Sequence, residues 1–209
     1  IIRPPTSDTM AIPVFFIVAD GLIRFGNLQS PGQSATFETM TPQPDTTVSF
    51  TGHRSYRGEA DALLRDVVTA LYERGMRTFL TGMAVGFDLA AAEAVAACRE
   101  RSPQMRLVAV VPFEGQAEHF PAAEMARFER ILAVADETVT LASTYHRGCY
   151  AVRNDYLVDN ARVVVAWYGG DRGGTQYTVR RALARGCELW NLHPAARVTV
   201  RPAEATLFG

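Results

Sequence analysis

Short apolar runs alternate with stretches of helical periodicity from about residue 48 to residue 192. The run VVVAW over 163–167 is brief and rich in β-branched residues, the pattern of a strand buried on both faces. Comparable runs lie at 48–51, 78–81, 107–111, 138–141 and 187–192. Between the first two, Leu63, Leu64, Val67, Val68 and Leu71 form an apolar stripe that predicts a helix ending at Gly75. The alanine-rich segment 89–101 predicts a second helix whose small residues permit close contact with a sheet. Further helices are expected over 122–135 and 148–160, and a last one carries Thr175, Val179, Ala182 and Leu183. Strands that alternate with helices in this way predict an α/β fold: three layers, a mostly parallel sheet with helices on both faces.

In such a sheet, ligands bind beyond the carboxyl ends of the strands. The loops expected there are 52–56, 82–88, 112–120 and 169–175. Two of them are rich in glycine: GMAVGFD from Gly82 through Gly86 to Asp88, and GGDRGGT ending in Gly173, Gly174 and Thr175. A glycine turn between a buried strand and a helix lets backbone approach an anion closely, with free N–H groups of the helix start aimed at it. Thr175 adds a hydroxyl at the expected N-cap. An ordinary tight βα turn would use the same glycines. Gly52 and Arg54 follow the first strand directly, where a guanidinium can grip a phosphate. Arg153 and Asn154 lie on a helix beside this rim. The first suits a phosphate, the second a base or ribose edge.

Outside the alternating region the pattern changes. Residues 14–25 read as two apolar runs around Asp20-Gly21, a hairpin signal, and 28–47 are linker-like in Pro, Gly, Ser and Thr. The chain therefore divides into an extension over 1–46, a domain over 47–193 and a tail over 194–209. Met40 opens a natural start before the first core strand, so residues 1–39 are expected to be an upstream extension, or read-through ahead of the native start, rather than a domain. The tail offers an edge strand at 198–200.

With 209 residues and 48% hydrophobic content, the chain has material for one core. Its net charge of −1 provides no basic field to attract nucleic acid or anionic membrane. Cys98, Cys149 and Cys187 are odd in number and widely spaced, which fits reduced thiols in the cytoplasm. His53, His119, His146 and His193 show no metal-ligand spacing, and neither metal nor cofactor is expected. No apolar run is long enough to span a bilayer.

At the rim loops the sequence resembles the YpsA-like branch of the SLOG superfamily, which also includes DprA and the lonely-guy (LOG) phosphoribohydrolases. The matching pieces are TGHR at 51–54, TGMAVGFDLAAAE at 81–93, PFEGQAEHF at 112–120, YHRGCYAVRNDYLVDNA at 145–161 and GGT at 173–175. They occur in the right order across about 48–193. The resemblance implies a three-layer Rossmann-like domain whose two glycine loops bind a nucleotide or nucleotide-derived small molecule, as a sensor or binding module. It also implies that homodimers are common. Two other functions occur in the superfamily: cleavage of nucleotide N-glycosidic bonds and single-strand DNA binding. The near-neutral charge disfavours the latter.

The LOG enzymes continue from GGT into a helix bearing catalytic glutamates. Here Gln176, Tyr177 and Thr178 follow, without a carboxylate. N-glycosidic cleavage needs groups to activate water and to stabilise oxocarbenium-like charge. The remaining candidates for that chemistry are Asp88 and Glu93, with Glu114 in an exposed loop. Asp88 has a competing structural role as the cap of its helix.

Overall fold

The computed structural model describes residues 43–196. After a 3₁₀ turn at Pro44–Thr46 come β1 (Thr47–Gly52), α1 (Asp61–Glu73), β2 (Thr78–Thr81), α2 (Phe87–Arg99), β3 (Arg106–Val111) and α3 (Ala122–Val134). They are followed by β4 (Glu137–Thr140), α4 (Cys149–Asp159), β5 (Val163–Trp167), α5 (Gly174–Ala184) and β6 (Glu188–Asn191). The expected hairpin at 14–25, the upstream segment over 1–39 and the edge strand at 198–200 lie outside the described residues.

The strands form one sheet in the order β4-β3-β2-β1-β5-β6. Every pairing is parallel, so the sheet is parallel throughout. From β1 to β4 the chain steps outward one strand at a time. It then returns through α4 to lay β5 against the free side of β1. Right-handed crossovers taken in opposite directions place their helices on opposite faces. Accordingly, Phe50, Phe79, Leu107 and Val163 pack with Leu64, Val68, Leu71 and Leu89 from α1 and α2. Their strand neighbours point the other way. Val164 and Ala166 meet Val158 and Val179 of α4 and α5, while Leu80 and Val108 meet Leu157. The result is the three-layer, Rossmann-like α/β architecture.

The reversal of strand order falls between β1 and β5, whose tips meet where Gly52 pairs with Trp167. A crevice opens beyond the strand ends at such a reversal. Two helix starts differ from expectation. Gly86, at φ +89°, is the N-cap of α2, so Asp88 lies inside the first turn rather than capping it. Gly173 is the N-cap of α5, which places Thr175 one residue inside the helix.

Candidate functional site

The four expected loops do share the carboxyl rim of the parallel sheet, but the two glycine turns there differ in kind. The turn after β2 is buried and internally bonded. Arg153 Nη1, from α4, donates to the Gly82 carbonyl, and Gln116 Nε2 donates to the Met83 carbonyl at 2.7 Å. The Met83 N–H reaches Thr81 Oγ1 at 3.4 Å, and the Ala84 N–H reaches Asp88 Oδ2 at 3.4 Å. A Cβ on Gly82 would collide with the Arg153 guanidinium. This turn is a bracket that joins β2, α2 and α4, and its amides at Met83 and Ala84 are taken. At Met83 and Ala84, then, the expected cradle is filled by the protein's own groups.

Arg153 and Asp88 are 6% and 5% exposed, with Nη1 and Oδ2 3.1 Å apart. Burial raises the Asp88 carboxyl above its ordinary range, and the Arg153 and Arg54 cations oppose the rise. Burial lowers Arg153 in turn, and Arg54 adds to that lowering. A guanidinium nevertheless keeps its proton in proteins, and the pair is a cation with its counter-anion. Arg54 makes no ion pair among the described residues. It lies exposed with its guanidinium 5.4 Å from the Tyr150 ring centre. The rim thus holds two guanidinium groups close enough to influence one carboxylate.

The turn after β5 is open. Residues 170–174 are exposed, and α5 begins with the Tyr177 N–H bonded to the Gly173 carbonyl at 3.0 Å. The N–H groups of Gly174, Thr175 and Gln176 therefore have no partner within the helix. Gly173 has φ +146° and ψ −162°, a conformation reserved for glycine. Beside Gly174 stands Asn154 of α4, with Nδ2 3.7 Å from where a Gly174 Cβ would sit. Asn154 is 8% exposed and Thr175 9%, and neither side chain has a hydrogen-bond partner among the described residues. Neither polar group is among the sealed, unpartnered atoms, so an amide and a hydroxyl stand at this helix start open to a partner from outside the chain. The entry to the turn is fixed by the Gly169 N–H, which donates to His53 Nε2 at 3.2 Å.

The structure draws Gly52, Arg54, Gly82, Gly86, Asp88, Arg153, Asn154, Gly173, Gly174 and Thr175 to one edge of the sheet. Gly52 and Gly86 serve close packing: a Cβ on Gly52 would enter the Phe87 side chain, and one on Gly86 would lie 2.6 Å from the His53 carbonyl. Glu93 is not brought to the seat. Both its carboxylate oxygens are held by Arg127 of α3, at 2.9 and 2.6 Å. Among the described residues there is no group of three or more His, Cys, Asp or Glu side chains able to hold a metal ion. No described helix is long and apolar enough to cross a membrane.

Beside Arg54 the rim continues into a cleft of about 750 Å³ between the loops that follow β3 and β4. Phe113, Gln116, Phe120, Tyr145 and Tyr150 line it. The PFEGQAEHF motif marks one wall in the sequence. The opposite wall, at 143–150, comes together only through folding.

Fold and rim together define a Rossmann-like α/β protein whose βα loops meet at a reversal of strand order. The chain belongs to the YspA SLOG family, whose model matches residues 59–191. It is 27% identical over 148 residues to the uncharacterised SPbeta prophage-derived protein YoqJ of Bacillus subtilis, covering 64% of this chain and 86% of that one. It is 28% identical over 110 residues to the UPF0398 protein BH1768 of Halalkalibacterium halodurans, covering 52% and 58%. Among solved structures it is similar to DNA processing protein A (DprA) from Streptococcus pneumoniae, with TM-score 0.51 and 19% identity. DprA from Helicobacter pylori, described for its single-stranded DNA binding mode, gives TM-score 0.52 and 18% identity. These matches cover 68% and 69% of this chain, which spans only 48% and 65% of the two DprA chains. At such identity they establish a shared fold.

Proposed function

We propose that this protein binds a nucleotide or nucleotide-derived small molecule, with a phosphate at the start of α5. One observation carries the reading: the unused Asn154 amide beside the unbonded N–H groups that open α5. A helix start favours an anion through its free N–H groups and its dipole. Thr175 supplies a hydroxyl, and Arg54 a cation without a carboxylate partner. Gly82, Asp88 and Arg153 hold the neighbouring turn in place. Gly52 and Gly86 allow the β1 loop and α2 to close on each other.

Hydrolysis is the weaker reading, because Glu93 is bound to Arg127 and Asp88 to Arg153. Single-strand DNA binding, the property for which the Helicobacter pylori neighbour is described, is favoured by exposed Arg54, Arg147 and Arg172. The exposed Glu114 and Glu118 beside the cleft oppose it.

A melting-temperature screen against nucleoside monophosphates tests the proposal, since a ligand of the folded state alone raises that temperature. Gly174→Asp is the matched control. Its carboxylate suits a helix start but repels a bound phosphate. The expected result is a shift with wild type and none with Gly174→Asp. A full shift with the variant overturns the phosphate placement, and weak salt dependence of any DNA binding counts against the DNA reading.

A further inference from the structure

We infer that the cleft beside Arg54 takes the heterocyclic base of that nucleotide and holds it by stacking on Tyr145. The inference rests on the nucleotide reading above and adds where the base lies and what grips it.

Three rings meet in this cleft. Phe113, from the loop after β3, meets Tyr145 edge-on at 5.4 Å and Tyr150 edge-on at 5.9 Å. Tyr145 comes from the loop after β4, so the contact joins the two walls. It lines the cleft and is nevertheless 64% exposed. Phe113 thus steadies a ring most of whose surface is accessible. Every base has a π-face, and aromatic side chains stack on it whichever base it is. The volume of about 750 Å³ is in the range of small-molecule sites, which apolar and aromatic groups mainly line.

Helix α4 sets the distance from this wall to the start of α5. Tyr150 lines the cleft, and Asn154 stands beside Gly174. They are positions i and i+4 of α4, neighbours on one face with about 5–6 Å between their Cβ atoms. Cleft and phosphate seat are therefore about one helical turn apart, a step that the ribose of a nucleotide spans. Arg54 lies along it, lining the cleft with its guanidinium 5.4 Å from the Tyr150 ring centre. The charges fit the same direction. Glu114 and Glu118 line the cleft as well; two carboxylates favour an uncharged ring there and leave the phosphate to the helix start.

The test is titration calorimetry with AMP, ribose 5-phosphate and adenosine. Stacking tolerates any base, so AMP stands for the class. Ribose 5-phosphate keeps sugar and phosphate and lacks the base. Wild type is expected to bind AMP about tenfold more tightly than ribose 5-phosphate. Tyr145→Ala, at an exposed position outside the core, is expected to bring AMP down to the level of ribose 5-phosphate and to leave the latter unchanged. Tyr145→Phe should keep the preference. Equal affinities of AMP and ribose 5-phosphate for wild type overturn the inference and leave the phosphate seat standing. So does a preference that survives Tyr145→Ala. A loss of the same size for both ligands in Tyr145→Ala overturns the stacking role. Adenosine that binds as tightly as AMP and is weakened by Tyr145→Ala supports the base site and refutes the phosphate seat. Failure of all three compounds to bind overturns both readings. Should Tyr145→Ala not fold, the wild-type comparison decides alone.

Discussion

Arg153 Nη1 lies 3.1 Å from Asp88 Oδ2, and the same nitrogen donates to the Gly82 carbonyl. One buried cation thereby ties α4 to the carboxyl end of β2 and to the first turn of α2. Asp88→Asn removes the counter-charge and leaves buried a guanidinium whose own Nε already lacks a partner. The expected loss is about 3–5 kcal/mol in urea unfolding. The double variant Asp88→Leu/Arg153→Met is expected to lose less than the two single changes summed. Strict additivity would show that the pair is not coupled.

Neighbouring glycines at the start of α5 should respond oppositely to alanine. Gly173 has φ +146°, so Gly173→Ala is expected to cost about 1–3 kcal/mol although the space around it is open. Gly174 has ordinary backbone angles, and its new Cβ would make van der Waals contact with Asn154 at 3.7 Å. Gly174→Ala should leave stability unchanged or slightly raised. Chemical denaturation of the two variants side by side checks the contrast.

Tyr56 anchors the loop that carries Arg54. Its ring packs edge-on against Phe87 at 5.2 Å and Trp167 at 5.1 Å. Its hydroxyl donates to Asp61 Oδ1 at 2.7 Å and accepts from the Ala60 N–H at 3.0 Å. Burial and the Asp61 carboxylate hold its proton on far above the ordinary tyrosine range. Tyr56→Phe keeps the packing and loses the hydroxyl bonds, with an expected cost of about 1–2 kcal/mol. Weakened nucleotide binding in this variant would show that the anchor also sets the position of Arg54.

Glu188 gives the stability an acid-sensitive component. Arg74 grips its carboxylate with two bonds of 2.8 and 2.9 Å, and the Trp190 indole donates at 2.6 Å. The Arg74 bonds hold the carboxyl below the usual glutamate range, with burial opposing them. A depressed pKa stabilises the fold above the unfolded value, about 4.3, and that contribution disappears as pH falls through the folded value. Glu188→Gln should therefore cost about 1 kcal/mol at pH 7, the half-exposed Arg74 keeping it small. As pH falls below about 4 the gap between variant and wild type should narrow, closing once Glu188 is protonated in the folded protein. A constant gap across pH would refute the ion-pair origin.

The strands are readable in the sequence because short apolar runs, VVVAW over 163–167 the clearest, alternate with stretches of helical periodicity. The rim is readable for the same reason: in a parallel sheet all strand ends of one kind share an edge. What the sequence does not disclose is occupancy. The bracket around Gly82 is closed by Arg153, 71 residues away, and by Gln116, 33 residues from Met83. Nothing local to GMAVGFD reveals that its Met83 and Ala84 amides are taken. Glu93 could equally face the rim by helical spacing, and Arg127 on the next helix decides otherwise. Asn154 is a candidate from its place on α4. The reason it matters, an amide left unsatisfied by its surroundings, exists only in three dimensions.

The pairing of Val48 with Val163 across the sheet carries a kinetic consequence. The first four strands can zip together by stepwise local additions, but the seam that creates the crevice joins segments far apart in the chain. Loop closure of that length is slow and comes late. Partly assembled molecules thus lack the crevice, and a ligand bound there would act as a clasp on the finished fold.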